Sequence, residues 1–286
     1  MVDGHGPVED LVAMPSVSIV VPVRNGMPYI ERALSSVLEQ DVDDVEIIVR
    51  ENGSTDGTAD WLNANAHRGF DVRVAPHPCS AAENWTEAVR SASGDFVKLL
   101  CADDAIAPGG LKRQLDALRA HPNAVMVASR RRVLSAQGDT VIPHHGMRGF
   151  VGEHDGIEAA TRAAYSGTNP FGEPSAVLFR REAMVSALPF REEYPYVTDL
   201  EFYVRVLQSG TLLGLKSTDA EFRLSATSWS SEIGRGQLDQ YRRWVAAATA
   251  EGLLRPTASH RLLAEPRFTA TYTARRLVSR LSVAKS

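Results

Sequence analysis

Val17 to Val23 (VSIVVPV) is a near-continuous run of β-branched residues, the pattern of a strand buried on both faces. Asn25-Gly26 breaks the run, and Tyr29, Ala33, Leu34, Val37 and Leu38 then recur at helical spacing. Val45 to Val49 reads as a second buried strand, ended by the polar segment Glu51 to Gly57, and Thr58 to Ala66 as a helix with Trp61 and Leu62 inward. Val72 to Ala75 is a short third strand, Ala81 to Ser91 a helix, and Phe96 to Leu100 a fourth strand. Pro108 opens a further helix whose apolar stripe is Leu111, Leu115 and Leu118; in a first turn proline lacks only an N–H the helix does not use. Strands alternating with helices of this length predict a parallel sheet with right-handed crossovers, so the chain to about residue 120 forms a doubly wound α/β unit.

Beyond that point the alternation loosens. Ala124 to Leu134 predicts a strand, Gln137-Gly138 a turn and Thr140 to Ile142 a return strand. Residues 143–153, rich in Gly and His, read as a mobile loop. Ser175 to Phe179 predicts a strand followed by a short helix at Glu182, and Asp199 to Gln208 a helix through Phe202, Val206 and Leu207. Thr211 to Leu215 and Ala220 to Leu224 read as two strands. From Gln237 onward Leu238, Tyr241, Trp244 and Val245, then Leu262 and Leu263, then Leu277, Val278 and Leu281 predict helices. The expected organisation is a flexible lead-in (1–15), one α/β domain (16–232) in two halves (16–120 and 121–232), and a helical appendage (233–286).

Composition narrows the function classes. Hydrophobic residues make up 44% and charged residues 23% of 286, ordinary for a soluble globular protein. A net charge of -4 provides no basic field for nucleic acid. Cys79 and Cys101 make no disulfide framework, and a doubly wound order separates them, so a reducing cytoplasm is the simpler expectation. The first residues lack a basic n-region followed by an apolar h-region, and no apolar run approaches the roughly 18 residues of a transmembrane segment.

The candidate chemistry lies at strand ends. In an open parallel α/β sheet ligands bind outside the carboxyl ends of the strands, where Pro22 to Asn25, Glu51 to Asp56, His77 to Ser80 and Asp103-Asp104 collect. None of these loops is the glycine fingerprint of a dinucleotide fold, and the chain has no Gly-x-x-x-x-Gly-Lys phosphate loop. Two adjacent carboxylates at a buried strand end cost stability unless a cation offsets them. The fitting ligand is one that brings phosphates together with Mg²⁺ or Mn²⁺, which takes one or two carboxylates plus phosphate oxygens and water.

The segments VSIVVPVRNG, EIIVRENGSTDGT, ENWTEAVRSASGDFVKLLCADDAIAP and TDLEFYVRVLQSG follow one another in the order and spacing of family 2 glycosyltransferases. Over about residues 15 to 230 the chain resembles that family, and the second motif followed by the Asp-Asp motif is the specific part. The resemblance implies a GT-A fold: a doubly wound, mostly parallel sheet with a Rossmann-like nucleotide-sugar-binding half (16–120), an acceptor-binding half (121–232) and C-terminal helices. It also implies transfer of a sugar from a nucleotide-diphosphate sugar to an acceptor hydroxyl, with inversion at the anomeric carbon and with Mn²⁺ or Mg²⁺ as cofactor. By the same resemblance Asp104 ligates the metal, and Asp103 holds the ribose or the metal's water shell. Glu51 contacts the base, Pro22, Arg24, Asn25 and Ser54 line the nucleotide pocket, and Asp199 is the catalytic base. Glu173 and Trp229 fall where the acceptor binds. The expected acceptor is a saccharide, a lipid-linked saccharide or a small molecule, in polysaccharide, glycolipid or natural-product synthesis. The protein is expected in the cytoplasm, with the inner face of the membrane as an alternative seat, and its apolar C-terminal helices could pair in a homodimer.

The chain departs from the family pattern at Thr198, where an acid often precedes the base, at Cys101, where many relatives have Asp, and at Ser225, where an Arg-x-His loop usually has His. Simpler readings stand beside these. Asp199 and Asp56 suit helix caps, and His144, His145 and His154 suit solvated loop positions better than zinc ligands. Arg130-Arg131-Arg132 mixes solvated positions with one facing the ligand, and Arg275, Arg276 and Arg280 suit a solvated helix face or anionic lipid. A sugar nucleotidyltransferase would carry a Gly-rich basic loop after the first strand, which PVRNGMPY does not supply. The rival of a different class is a non-catalytic nucleotide-sugar binder whose transferase site has drifted.

Overall fold

The computed structural model describes residues 16–224 and 236–283, with side chains to Thr273. Strands β1 (Val17–Val23), β2 (Val45–Glu51), β3 (Asp71–Val74) and β4 (Phe96–Leu99) alternate with helices α1 (Ile30–Leu38), α2 (Thr58–Asn65) and α3 (Ala81–Arg90). All four pair in parallel, in the spatial order β3-β2-β1-β4. Val17, Ile19, Val21 and Val23 pack on one side with Leu34 of α1 and Leu62 of α2, while Val20 packs on the other with Val89 of α3. Apolar residues at both parities of β1 therefore have partners, which is why the strand reads as an unbroken apolar run.

The remaining elements are β5 (Ala105–Ile106), α4 (Gly110–Ala120), β6 (Ala124–Leu134), β7 (Thr140–His145), β8 (Gly152–His154), α5 (Gly156–Ala164), β9 (Val177–Arg180), α6 (Arg181–Ser186), α7 (Thr198–Val206), β10 (Thr211–Arg223), α8 (Gln237–Ala250) and α9 (Ala258–Val283). They extend the same sheet in the order β4-β9-β6-β10-β5, with β7 on β6 and β8 on β10. β10 runs parallel to β6, whereas β9 is antiparallel to both β4 and β6. Helices α1, α2 and α4 cover one face of the sheet and α3, α5, α6, α7 and α8 the other.

Four expectations need correction. The two late strands are one 13-residue strand, β10, whose register against β6 shifts between Gly214 and Thr218 and again between Thr218 and Ala220. These bulges absorb the polar stretch at Lys216 to Asp219 without ending the strand. The segment 143–153 is no loose loop: β7 continues to His145, Met147 and Phe150 are buried, and the Met147 N–H donates to the Pro170 carbonyl at 2.9 Å. The strand expected from Ser175 starts at Val177, because Pro174–Ala176 forms a single 3₁₀ turn. Pro108 does not open α4; Gly109 (φ 68°) precedes a helix that starts at Gly110, where a Cβ would meet the Asp219 carbonyl at 2.5 Å.

Candidate active site

The loops after β1 and β2 are knitted together at the carboxyl edge of the sheet. Asn25 occupies the left-handed region (φ 55°). Its N–H donates to Ser54 Oγ at 2.9 Å, and its Oδ1 accepts from the Thr55 N–H at 2.8 Å. Asp56 accepts from the Thr58 N–H (3.0 Å) and hydroxyl (2.6 Å) and from the Met27 N–H (2.9 Å), so it caps α2 and also ties down the first loop. The buried Glu51 carboxylate accepts the Gly53 and Ser54 N–H groups and closes the turn after β2. Asn52, also buried, exchanges two bonds with the Cys79 backbone (2.8 and 3.0 Å) and draws the His77–Ser80 loop in as a third wall. Pro22 is buried near the end of β1, and Arg24 is exposed just beyond it.

Asp103 and Asp104 follow β4, the neighbour of β1 in the sheet. Asp104 is buried: Oδ2 accepts from the Ser175 hydroxyl at 2.9 Å and Oδ1 from the Arg223 N–H at 3.2 Å. Burial, then the Asp103 and Glu173 carboxylates, push Asp104 well above the ordinary carboxylate range. Asp103 is less enclosed. Burial raises its carboxyl, with Glu173 adding to the rise and the Arg223 guanidinium opposing it. Arg223 stacks over the Tyr29 ring at 4.9 Å, so a cation bridges the first loop and the acid pair.

Cys101 marks the middle of the cluster. Its thiol is raised by burial and then by Asp104, Asp103, Asp199 and Glu173, the four acids of both halves. A thiolate is in any case a poor partner for a hard cation.

Asp199 lies in the first turn of α7, where its Oδ1 accepts the first-turn Leu200 N–H at 2.8 Å, the bond expected of an acid at a helix start. Its other oxygen is held from across the site, Asn169 Nδ2 donating to Asp199 Oδ2 at 2.9 Å. Glu173, four residues beyond Asn169, pairs with Arg131, the buried member of the arginine run, whose partner is thus a carboxylate. The buried Tyr203 hydroxyl and Arg131 Nη1 make no hydrogen bond among the described residues. Trp229 and Ser225 lie outside the described residues.

Beneath the acids sits Lys98, fully buried on β4, its Nζ donating to Gln114 Oε1 (2.8 Å) and the Val177 carbonyl (2.9 Å). Burial lowers it to about 7, with Asp219 and Asp104 pulling upward. Gln114 passes the network on to Ser129 (3.0 Å) and the Ala176 carbonyl (2.8 Å). Lys98 therefore braces the turn that carries Ser175, and through it Asp104. The roles of Asn169, Ser175, Asn52 and Lys98 carry no local sequence signal, since the partners Asp199, Asp104, Cys79, Gln114 and Val177 lie between 16 and 79 positions away.

Among the described residues no group of three or more His, Cys, Asp or Glu is arranged to hold a metal ion by itself. Two adjacent carboxylates destabilised by burial and mutual repulsion do fit a Mg²⁺ or Mn²⁺ ion whose other ligands are diphosphate oxygens and water.

The model of the family described as Glycosyl transferase family 2 matches residues 18–186, and the chain belongs to that family. It is 29% identical over 202 residues to an uncharacterized protein of Mycobacterium tuberculosis, covering 68% of this chain and 63% of that one. It is likewise 29% identical over 138 residues to a chondroitin synthase of Pasteurella multocida, covering 47% of this chain but 14% of the synthase. Staphylococcus aureus TarS 1–349, solved in complex with UDP-GlcNAc, has the same fold, with a TM-score of 0.68 at 17% identity over 89% of this chain and 71% of that one. A mannosyltransferase of Pyrobaculum calidifontis, solved with GDP-Man and Mn²⁺, has a TM-score of 0.57 at 17% identity over 95% of this chain and 85% of that one. The fold is that of the GT-A glycosyltransferases.

Proposed function

We propose that this chain transfers a sugar from a nucleotide-diphosphate sugar to an acceptor hydroxyl, inverting the anomeric carbon. The observation that carries the reading is the loop from Asn169 to Ser175, which holds Asp199 at one end and Asp104 at the other and so brings an acid of the donor half and an acid of the acceptor half to one loop. The donor lies in the half formed by residues 16–120, against Pro22, Arg24, Asn25, Glu51 and Ser54, and the acceptor in the half formed by 121–232. Asp103 and Asp104 would hold Mn²⁺ or Mg²⁺, which when bound neutralises the departing diphosphate. Asp103 orients the nucleotide, and Ser175 with the Arg223 N–H fixes the Asp104 carboxylate.

Asp199 takes the proton of the acceptor hydroxyl as its oxygen bonds to the anomeric carbon. The bond from that carbon to the diphosphate oxygen breaks on the opposite face, so no covalent sugar–enzyme intermediate is needed. Asn169 holds the base in orientation. The donor is a nucleotide-diphosphate sugar, and we assign the acceptor to the saccharides, lipid-linked saccharides or small molecules that offer a hydroxyl.

A second reading, a nucleotide-sugar binder without turnover, is favoured by one observation: both Asp104 oxygens already accept hydrogen bonds from the protein. A thermal-shift panel of nucleoside diphosphates and nucleotide sugars, each with and without Mn²⁺, tests the donor site, because a ligand of the folded state raises the midpoint by mass action. One nucleotide acting only with Mn²⁺ is the expected result. A folded protein silent to the whole panel overturns the donor assignment, and binding without sugar release or transfer selects the second reading.

A further inference from the structure

Helix α9 is where the charge of this chain changes sign. Between Arg255 and Ser286 the sequence holds seven Lys and Arg against one acid, Glu265. That segment is net +6 in a chain of net -4, which leaves -10 on residues 1–254. The one acid is already paired, its carboxylate accepting from Arg242 of α8 at 2.7 Å.

The helix has two apolar sides. The inner side is used: Phe268 is buried against Tyr165 and Tyr241, with Ala264 half-buried one turn earlier and Thr271 and Tyr272 half-buried one turn later. This spacing of four, then three and four, is that of a single helix face. The outer side is also apolar, and none of the described residues covers it. Leu262 is 78% and Leu263 41% exposed, and Pro266 and Ala270 are exposed beside them. The same helical spacing continues through Ala274, Leu277 and Leu281, in a stretch that also contains Arg275, Arg276 and Arg280. An apolar stripe among arginines on a helix too polar to span a bilayer is the pattern of a helix that lies in a lipid interface.

We propose that α9 docks this protein on an anionic bilayer surface, with Leu262, Leu263, Pro266 and Ala270 entering the headgroup region and the exposed Arg261 and Arg267 meeting lipid phosphates. The occupant is argued from charge: the basic segment is drawn to an anionic membrane while the acidic body is held off it. Helix α9 also rests directly on Gly167, where a Cβ would lie 3.2 Å from the Arg267 carbonyl and from Phe268 Cα. Two residues on from that glycine is Asn169, the anchor of Asp199. Docking through α9 therefore seats the acceptor side of the cleft next to the membrane, which suits a lipid-linked acceptor. This last step rests on the transferase reading; the docking itself does not.

The test is flotation of the full chain with vesicles of phosphatidylcholine alone and of phosphatidylcholine containing a third phosphatidylglycerol. The expected result is recovery with the anionic vesicles only, released by high salt, and lost in a Leu262→Glu/Leu263→Glu variant with unchanged melting temperature and donor thermal shift. Should that variant fail to fold, Arg267→Glu, at an exposed position, is expected to weaken recovery several-fold. Absence of the wild type from the floated fraction, or flotation indifferent to lipid charge and to the variants, overturns the proposal. So does conversion of a wild-type dimer to a monomer by the double variant, which makes the face a contact between copies. A donor shift that persists without flotation separates failure of the docking from failure of the transferase reading.

Discussion

Asn169 holds Asp199 with one amide hydrogen and its own loop with the other: Nδ2 donates to Asp199 Oδ2 at 2.9 Å and to the Gly172 carbonyl at 2.7 Å. Its Oδ1 accepts from the Phe171 and Gly172 N–H groups at 3.1 and 3.2 Å. One side chain thus couples the orientation of the acid on α7 to the shape of the loop leading to Glu173. A general base must present a lone pair to one incoming proton, so fixing its carboxylate plane is part of its function.

Replacing the acid itself is the direct test of its role. Asp199→Asn keeps the shape and one acceptor oxygen but removes the base, so turnover is expected to fall by about 10²–10⁴. The Mn²⁺-dependent thermal shift with donor should persist, because Asp199 does not belong to the donor half. An unchanged rate would remove Asp199 from the mechanism.

The anchor predicts a pH effect that a merely structural asparagine would not give. Asn169→Ala loosens the base and should lower kcat by roughly tenfold to a hundredfold, with little change in donor KM. Asn169→Asp puts a second carboxylate beside Asp199. Like charges favour the protonated form, so the acid limb of the kcat/KM profile should move to higher pH. Identical pH profiles in Asn169→Asp and wild type would show that the two side chains do not interact in solution.

Lys98 gives the fold its own pH dependence. Burial lowers its ammonium to about 7 from an ordinary 10.5. Between those values the unfolded chain holds a proton that the folded one releases, so stability rises with pH across that window. The neutral amine still has two hydrogens, enough for Gln114 Oε1 and the Val177 carbonyl. Lys98→Met removes the titration, and urea unfolding from pH 7 to 10 should show wild type gaining on the variant by on the order of a few kcal/mol. Parallel curves would place the Lys98 titration outside this window.

The legible parts of this molecule are those where pattern and position coincide. β1 ends where its β-branched run ends, and the acid pair was found because two adjacent carboxylates after a buried strand have no simple structural use. β10 reads as two strands in sequence because Lys216 to Asp219 is polar; in the fold Asp219 is buried, with Arg113 donating to it at 2.7 Å and Ser217 at 2.6 Å. The segment 143–153 looked mobile because its glycines are visible in sequence, whereas the docking of Met147 and Phe150 depends on Pro170 and Phe171, which only folding brings near. Ser175 and Asp104 are 71 positions apart, and nothing local marks either as the partner of the other.

Asp103 poses the conflict between stability and site most sharply. Its carboxyl is raised by burial, with Glu173 adding to the rise, so without a cation the ionised form costs folding free energy. Asp103→Asn removes that cost. The melting temperature of the nucleotide-free protein should therefore rise at pH 7.5. As pH falls through the raised Asp103 value, the folded wild type binds a proton before the unfolded chain does, so it recovers stability and the two melting curves converge. The same variant should lose most of the Mn²⁺-dependent shift with nucleoside diphosphate, which separates the site role from the stability role. A variant that melts lower than wild type and still responds to Mn²⁺ and nucleotide would make Asp103 a structural residue.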